Sequence, residues 1–163
     1  MAYEKGFIAD VMVGRLARWM RILGFDVLYF HDAEDDFIIY AAKEDRRTII
    51  TRDRELAEKA KAIGLDVVFI NGNSIKEQLK EIVEKLSLTP KAFTRCAVCN
   101  GKLLEVEKAE VEGIVPEFVY FKHNKFWKCG RCGRVYWSGS HVVNMVKYLG
   151  FDPWKVWNEG YTE

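Results

Sequence analysis

The sequence lacks several features that would place it in a simple class. None of its apolar runs approaches the roughly 18–20 residues of a membrane-spanning helix, and its opening residues, MAYEKGFIAD, lack the pattern of a signal peptide. We therefore expect a cytoplasmic protein with no membrane association. The net charge is only +1, which excludes the strongly basic chain that is the simplest signature of a nucleic-acid-binding protein. Only the local arrangement of charge can then indicate a function.

Cysteine is scarce, and the four cysteines occur as two close pairs, Cys96 with Cys99 and Cys129 with Cys132. In a reducing compartment such pairs favour metal binding over disulfides. Two C-x2-C knuckles can place four thiolates tetrahedrally around Zn²⁺, and a closed site of this kind is structural. The long spacer suits a zinc ribbon, and the glycine after the second knuckle permits a positive φ in its turn. A redox pair would instead need a single C-x2-C after a strand.

Apolar residues are plentiful, at 49% of the 163 residues, so the chain can build a substantial core. Over residues 1–90, short apolar runs alternate with helical patterns, which predicts an α/β fold with a parallel sheet flanked by helices. Pro90 ends this pattern. Residues 91–163 predict a small zinc ribbon, with β-like runs such as FVYFKH and KFWKCG, and a C-terminal helix in SHVVNMVKYLG.

Four carboxylates fall where predicted strands end and helices begin, at the edge where parallel sheets gather functional groups. They are Asp10 after the first strand, Asp35 and Asp36 at the start of the second helix, and Asp53 after the third strand. Carboxylates are the ligands that Mg²⁺ and Mn²⁺ prefer, and such ions can supply a hydroxide for phosphodiester cleavage. The sequence therefore predicts a site for Mg or Mn, with Asp10 and Asp53 as its central ligands.

The same acids have a structural interpretation. Asp35, Asp36 and Asp53 stand where acids cap helices, and Thr51 is a further capping candidate. Asp10 is expected to cap poorly, because residues 11–14 separate it from a clear helix. A buried carboxylate at this position is costly unless it is paired or bound to a metal, which favours function.

Three arginines, Arg15, Arg18 and Arg21, lie within about 120° of one another on the first predicted helix, opposite its apolar face. No carboxylate is interleaved with them. Together with Thr51 and Arg52, they are candidates for binding the phosphates of a polyanionic substrate; the alternative is a solvated helix face. In the C-terminal part, basic residues alternate with Phe126, Trp127, Tyr136 and Trp137, an arrangement that would suit stacking on unpaired bases. About half of these aromatic residues are expected to form the small core of the ribbon instead.

Several stretches together resemble one family. FIADVMVGRLARWMRILGFDVLY, the spacing of Asp35, Ile38 and Ala42, IITRDREL, and CAVC…CGRCGRVYWSGSH are similar to the Mut-seven C-terminal RNase family, and the similarity covers nearly the whole chain. The resemblance implies a PIN-like fold, an acidic Mg or Mn site, a C-terminal zinc ribbon and ribonuclease activity.

By position, the resemblance assigns the catalytic acids to Asp10, to Asp35 or Asp36, and to Asp53. Where such sites often have a fourth acid, this chain has Asn71 or Asn73.

The leading hypothesis is thus a metal-dependent ribonuclease that hydrolyses RNA, such as tRNA or rRNA, with a homodimer as one expected assembly. The alternatives are a non-catalytic RNA-binding or ribosome-associated module, and a zinc-ribbon subunit that docks proteins within an RNA-processing complex. Loss of cleavage with retained binding, on replacing Asp10 and Asp53 by Asn, would separate the enzyme from the binding module.

Overall fold

The computed structural model describes residues 5–158, and the side chains up to residue 156. The chain divides into two compact units, Met1–Arg21 with Phe25–Thr89 and Ile22–Gly24 with Pro90–Glu163. Among the described residues, no helix has the length and apolar character to cross a membrane.

The first unit contains a four-stranded parallel sheet in the order β2-β1-β3-β4, with helices between the strands. The elements are β1 (Phe7–Ala9), a 3₁₀ turn (Val11–Val13), α1 (Gly14–Ile22), β2 (Val27–Tyr29), α2 (Asp35–Glu44), β3 (Thr48–Thr51), α3 (Arg54–Ala62), β4 (Val67–Phe69) and α4 (Ile75–Lys85). The predicted parallel sheet flanked by helices is confirmed. The predicted alternation of strands and helices over residues 1–90 is present, and a 3₁₀ turn is added between β1 and α1.

Two neighbouring central strands explain how the sheet orients the acidic edge. Ile8 of β1 pairs with Ile49 of β3, and both belong to the buried cluster that α2 and α3 cover. Because side chains alternate along a strand, Asp10 and Thr51, two residues further on, point to this same face. The connection from β2 to β3 crosses over β1, so β3 lies next to β1 and the carboxyl ends of these two strands are adjacent.

Helix ends follow the local sequence. Ser74 caps α4: its hydroxyl accepts from the Glu77 amide, and the Glu77 carboxylate accepts from the backbone in return, which makes a capping box. The helix α3 ends shortly before Gly64, which has a φ of +86° that only glycine adopts without strain.

The second unit contains a three-stranded antiparallel sheet in the order β5-β6-β7. Its elements are β5 (Leu103–Val106), a 3₁₀ turn (Lys108–Val111), α5 (Glu117–Lys122), β6 (Phe126–Cys129), β7 (Val135–Tyr136), α6 (Ser140–Tyr148) and α7 (Pro153–Asn158). The strand in KFWKCG and the helix in SHVVNMVKYLG are as predicted.

The prediction of a β-like run at FVYFKH is wrong, because these residues form most of α5. Aromatic and β-branched residues favour strands only weakly, and packing overrides the preference. Pro116 fixes an extended entry to the helix, and Glu117 places an acid in its first turn. Val119 alone is buried, whereas Phe118 and Phe121 face solvent, so the run lacks the alternating burial of a strand.

Candidate active site and metal centre

Asp10 lies at the carboxyl end of β1, and it is 3% exposed. Its Oδ2 accepts a 2.7 Å hydrogen bond from the Thr51 hydroxyl, and its Oδ1 accepts from the Met12 amide at 3.4 Å. Our expectation that Asp10 caps poorly overlooked the 3₁₀ turn Val11–Val13, which it caps. At 3.4 Å the hydrogen bond from the Met12 amide is weak. The one strong donor to this buried carboxylate is therefore the Thr51 hydroxyl, which carries no charge.

Thr51 connects the ends of the two central strands. It is fully buried, its hydroxyl donates to Asp10, and its Oγ1 accepts from the Asp53 amide at 2.9 Å. The prediction that Thr51 contacts substrate is therefore wrong. A buried hydroxyl with both functions used cannot face a ligand, and its role is to position Asp10 and the Asp53 backbone relative to each other.

Asp53 is the N-cap of α3. Its Oδ1 accepts from the amides of Glu55 at 2.9 Å and Leu56 at 3.3 Å. Within the described part of the chain, its Oδ2 has no hydrogen bond. The capping and functional interpretations are thus compatible, because one oxygen orients the carboxylate and the other is left for a ligand.

Asp35 lies in the first turn of α2, and its surroundings show that the acids approach one another. Burial raises the pKa of Asp35, and the negative charges of Asp53 and Asp10 raise it further; Lys59 lowers it and Glu55 raises it. Burial and like charges both disfavour the ionised form of a carboxyl. The structure thus brings Asp10, Asp35 and Asp53 into electrostatic contact at one edge of the sheet.

Asp36 does not belong to this group. Its side chain is 88% exposed, and its Oδ1 accepts from the Lys59 ammonium at 3.1 Å. The prediction that Asp36 is a catalytic acid is therefore corrected. Neighbouring residues on a helix point about 100° apart, so only one of the two acids at the start of α2 can face the strand ends.

The acids fit a divalent cation in charge and in their available oxygens. Clustered carboxylates disfavour each other's ionisation, as the raised pKa of Asp35 shows, and a cation would relieve this repulsion. The carboxylate oxygens are farther apart than the ligand atoms of a fully closed metal site. Among the described residues, only the four cysteines bring three or more potential ligand atoms within 4.8 Å of one another. Waters would have to complete the coordination, as is usual for Mg²⁺.

A groove of about 480 Å³ lies next to the 3₁₀ turn that follows β1, and Asp10, Asp35 and Asp53 are not among the residues that line it. Arg15 and Arg18 of α1 line it together with Tyr29, Asn73 and Gln78. Both arginines are exposed, and they have no ion pair within the described residues. The groove therefore presents two guanidinium groups and several neutral hydrogen-bonding side chains to a ligand.

Arg21 differs from the other two arginines. It is 8% exposed, and its Nε donates to the carbonyl of Val27 at 2.8 Å. The prediction that all three arginines form one phosphate-binding face is therefore wrong for Arg21. Helical spacing gives a direction around the helix axis, but here the chain returns through β2 and covers the end of α1.

The loop after β4 carries amides in place of a fourth acid. Asn71 donates its backbone and side-chain N–H groups to Glu81 of α4, and Gly72 donates its backbone amide to the same carboxylate. Burial raises the pKa of Glu81, but these hydrogen bonds outweigh that effect and lower it overall. Arg52, predicted to bind substrate, donates to the Asn73 side chain at 3.3 Å. Glu81 is thus an acid near the edge that already holds this loop.

The cysteine cluster forms the second site. Sγ of Cys96 lies 3.6 Å from that of Cys132, and Sγ of Cys99 lies 3.4 Å from that of Cys129. All four sulfur atoms lie within 4.8 Å of one another, and their cysteines can hold a zinc ion. The predicted thiolate cluster is confirmed.

The backbone around the thiols is shaped for this close approach. Gly133 follows the second knuckle with a φ of +79°, and Asn100 occupies the corresponding position after the first knuckle with a φ of +65°. Asparagine is one of the few other residues that tolerate this region. A Cβ on Gly101 would lie 3.0 Å from Sγ of Cys129, so a side chain there would push against the sulfur atoms.

Tyr136 extends the cluster. Its hydroxyl lies 2.9 Å from Sγ of Cys96 and accepts from the Ala97 amide at 3.1 Å. Burial raises the pKa of the Cys96 thiol, but hydrogen bonds from Tyr136 and from backbone amides outweigh burial and bring it to about 6. The surroundings of Cys96 thus stabilise its thiolate, the form that binds metal, whereas burial and the neighbouring thiols raise the pKa of Cys99 to about 11.

The aromatic residues of this unit serve its core. Phe126 and Trp127 are buried, and the Trp127 ring stacks on Phe93 with their centroids 4.2 Å apart. They cannot stack on bases, and they belong to the half of the aromatic residues that was expected in the core of the ribbon. The sequence around the second knuckle does not show which rings face the core, because that depends on how the strands of this unit pair.

The sequence analysis also missed contributors to both sites. Glu55, which acts electrostatically on Asp35, and Glu81 lie on helices and look like ordinary solvated acids. Tyr136, which contacts Cys96, follows the second knuckle by a short turn and was considered only for base stacking. Its proximity to CGRCG was the available signal.

The fold and the two sites define a class: an α/β protein with clustered carboxylates at the carboxyl edge of a parallel sheet, followed by a four-cysteine cluster compatible with a zinc ribbon. Residues 5–149 match the family of the Mut7-C RNAse domain, and the chain belongs to this family. Comparison with curated proteins gave no match. Comparison with solved structures gave none either.

Proposed function

We propose that this chain is a metal-dependent ribonuclease whose catalytic carboxylates are Asp10, Asp35 and Asp53. The observation that carries the proposal is that the charges of Asp53 and Asp10 act on Asp35, so acids from three separate strand–helix junctions lie near one another. Membership of an RNAse domain family supports the same reaction class. Residues 1–90 would form the nuclease domain, and residues 91–163 the ribbon domain.

In this proposal Asp10 and Asp53 hold Mg²⁺ or Mn²⁺ through their carboxylates, and Asp35 contributes negative charge from α2. The ion would supply Lewis-acid stabilisation and an activated water for phosphodiester hydrolysis. Thr51 keeps Asp10 in place through its 2.7 Å hydrogen bond. The α3 amides orient Asp53, so its free oxygen faces the site before any ligand arrives.

Arg15 and Arg18 would bind the phosphates of the RNA in the groove next to the turn that follows β1. Structured RNA such as tRNA or rRNA remains the proposed substrate class. A homodimer and a cytoplasmic location remain predictions.

The four cysteines would bind Zn²⁺ as a structural ion. The support is the mutual approach of four thiols and the hydrogen bonds that favour the thiolate of Cys96. The four cysteines would fill all four positions of a tetrahedral zinc ion and leave none open, which is the arrangement of a structural site.

A non-catalytic RNA-binding module is the second candidate, and one observation favours it. The three carboxylates do not lie within 4.8 Å of one another, whereas Arg15 and Arg18 are exposed at the groove. In that case the acids would serve only as caps and strand-end contacts.

Matched Asp→Asn variants distinguish the two. Asparagine keeps the shape and caps helices about as well as aspartate, but it removes the charge that a cation needs. With Mn²⁺ and a panel of single-stranded and structured RNAs, Asp10→Asn and Asp53→Asn should each reduce the cleavage rate by about 100-fold or more and retain RNA binding. Asp36→Asn, the neighbouring exposed acid, should leave cleavage unchanged. Absence of Mn²⁺-dependent cleavage by the wild type would reject the enzyme.

A further inference from the structure

The second unit contains a hollow of about 310 Å³ beside α5. The rings of Tyr120 and Phe121 line it together with Glu112 and Glu117, and Gly113 turns the chain at its rim with a φ of +79°. Neither the acidic site nor the cysteine cluster uses these residues. The hollow therefore has no role in the function proposed above.

The charges of the hollow are unbalanced. Glu112 and Glu117 form no hydrogen bond or ion pair within the described residues, and no basic side chain lines the cavity. An ammonium group already contacts the neighbouring ring surface, because Nζ of Lys108 lies 4.7 Å from the centroid of Tyr120. The Phe121 ring and the two carboxylates are left for a further cation.

An apolar surface surrounds the hollow. Phe118 and Phe121 are each 72% exposed and lie one turn apart on α5, and Ile114 in the preceding loop is 64% exposed. Adjacent large apolar side chains at the surface are characteristic of protein-binding sites. The charge of this segment is negative, because residues 105–122 contain five acids and only two bases: Glu105, Glu107, Glu110, Glu112 and Glu117 against Lys108 and Lys122.

We propose that this hollow binds a lysine or arginine side chain of a partner protein, whose adjacent apolar residues cover Phe118 and Ile114. The two carboxylates would pair with the cationic head group, and this group would lie over the face of the Phe121 ring. The methylene stem of a long basic side chain would pack against the hollow's apolar wall. The negative segment repels phosphates, so the observations favour a basic protein segment over RNA.

The test uses the full ¹⁵N-labelled, zinc-loaded chain and a defined probe, N-acetyl-Leu-Arg-Leu-amide. Titration should shift the backbone amide signals of Gly113 and Phe121. The matched peptide with Glu in place of Arg should not shift them. Added salt should weaken binding of the arginine peptide, because the pairing is partly exposed.

Variants locate the site. Phe121→Ala should weaken the arginine peptide by about three- to fivefold, the value expected for one exposed cation–π contact. The double change Glu112→Gln with Glu117→Gln should weaken it at least as much. Glu105→Gln, an exposed acid on β5, should have no effect. All four residues are exposed, and the spectrum itself reports whether each variant is folded.

Three results would overturn the proposal. One is equal binding of the arginine and glutamate peptides. Another is a shift of Gly113 and Phe121 caused by an oligoadenylate RNA and abolished by Phe121→Ala. The third is a chain that self-associates through this surface, with Phe118→Ala producing monomers in sedimentation and the peptide having no effect. None of these results depends on ribonuclease activity.

Discussion

The two sites of this chain are built in opposite ways. The cysteine cluster comes from two short knuckles whose sulfur atoms all lie within 4.8 Å of one another. The acidic site comes from three strand–helix junctions, and its carboxylates influence one another without closing to that distance. A site formed by local turns is complete once the chain folds, whereas a site formed by sheet topology leaves room that a substrate and water can share. The first design suits a structural ion and the second suits catalysis.

The largest expected effect comes from removing one zinc ligand, which should damage the cysteine cluster and leave the acidic site intact. Cys129→Ser should abolish stoichiometric zinc in elemental analysis and unfold the second unit, because the free energy of zinc binding is a main source of stability in small zinc domains. The NMR signals of the four-stranded sheet should persist in the full chain. Retention of one zinc per chain in the variant would contradict the assignment.

Thr51 tests the acidic site at the point where the strands meet. Thr51→Val keeps the size and removes the hydroxyl, which leaves Asp10 and the Asp53 amide without their shared partner. We expect a loss of about 1–3 kcal/mol of unfolding free energy in urea and about 10- to 100-fold in cleavage rate. Thr51→Ser restores the hydroxyl and should recover most of both. Equal defects in the two variants would mean that packing, not the hydrogen bond, is what matters.

The arginines of α1 provide a smaller contrast. The double change Arg15→Gln with Arg18→Gln should leave unfolding unaffected and weaken RNA binding. The slope of log K against log salt should fall by about one for each phosphate that the variant no longer neutralises. Arg21→Gln should do the reverse, because Arg21 is buried and bonded to Val27. An unchanged salt slope in the double variant would mean that Arg15 and Arg18 contact solvent and not phosphates.

The smallest effect concerns Asp35 and pH. Its pKa is raised in the folded chain by burial and by Asp53 and Asp10, so ionisation is less favourable folded than unfolded. Its contribution to stability is therefore most favourable below the ordinary carboxyl pKa and declines as pH rises through the raised value. In zinc-loaded protein without added Mn²⁺ or Mg²⁺, Asp35→Asn should be slightly more stable than wild type at pH 7 but not at pH 3. Mn²⁺ should reverse the order at pH 7; no reversal would argue against a cation at Asp35.

Much of this architecture is accessible from the sequence, for physical reasons that particular residues illustrate. The strands and the Ser74 capping box each depend on neighbours within a few positions, so local patterns reveal them. The cysteine cluster joins residues 30 and 36 positions apart, but the two C-x2-C spacings mark both of its halves. The convergence of Asp10 and Asp53 follows from the rule that parallel strands end at one edge of a sheet.

The errors come from contacts that a residue makes with a different element of the fold. Arg21 is covered by β2, Thr51 is buried between two carboxyl-bearing loops, and Asp36 pairs with Lys59 on the next helix. None of these partners is visible from helical spacing or composition. The helix at FVYFKH shows the same limit, because only its packing distinguishes it from a strand.

The shared use of Asp53 has an evolutionary consequence. One oxygen holds the start of α3, and the other is free for chemistry. A single-nucleotide change to asparagine would preserve the first task and end the second. If Asp53 is catalytic as proposed, selection for folding gives no protection to catalysis at this position, and a descendant could lose the activity while its fold and its cysteine cluster persist in a purely binding role.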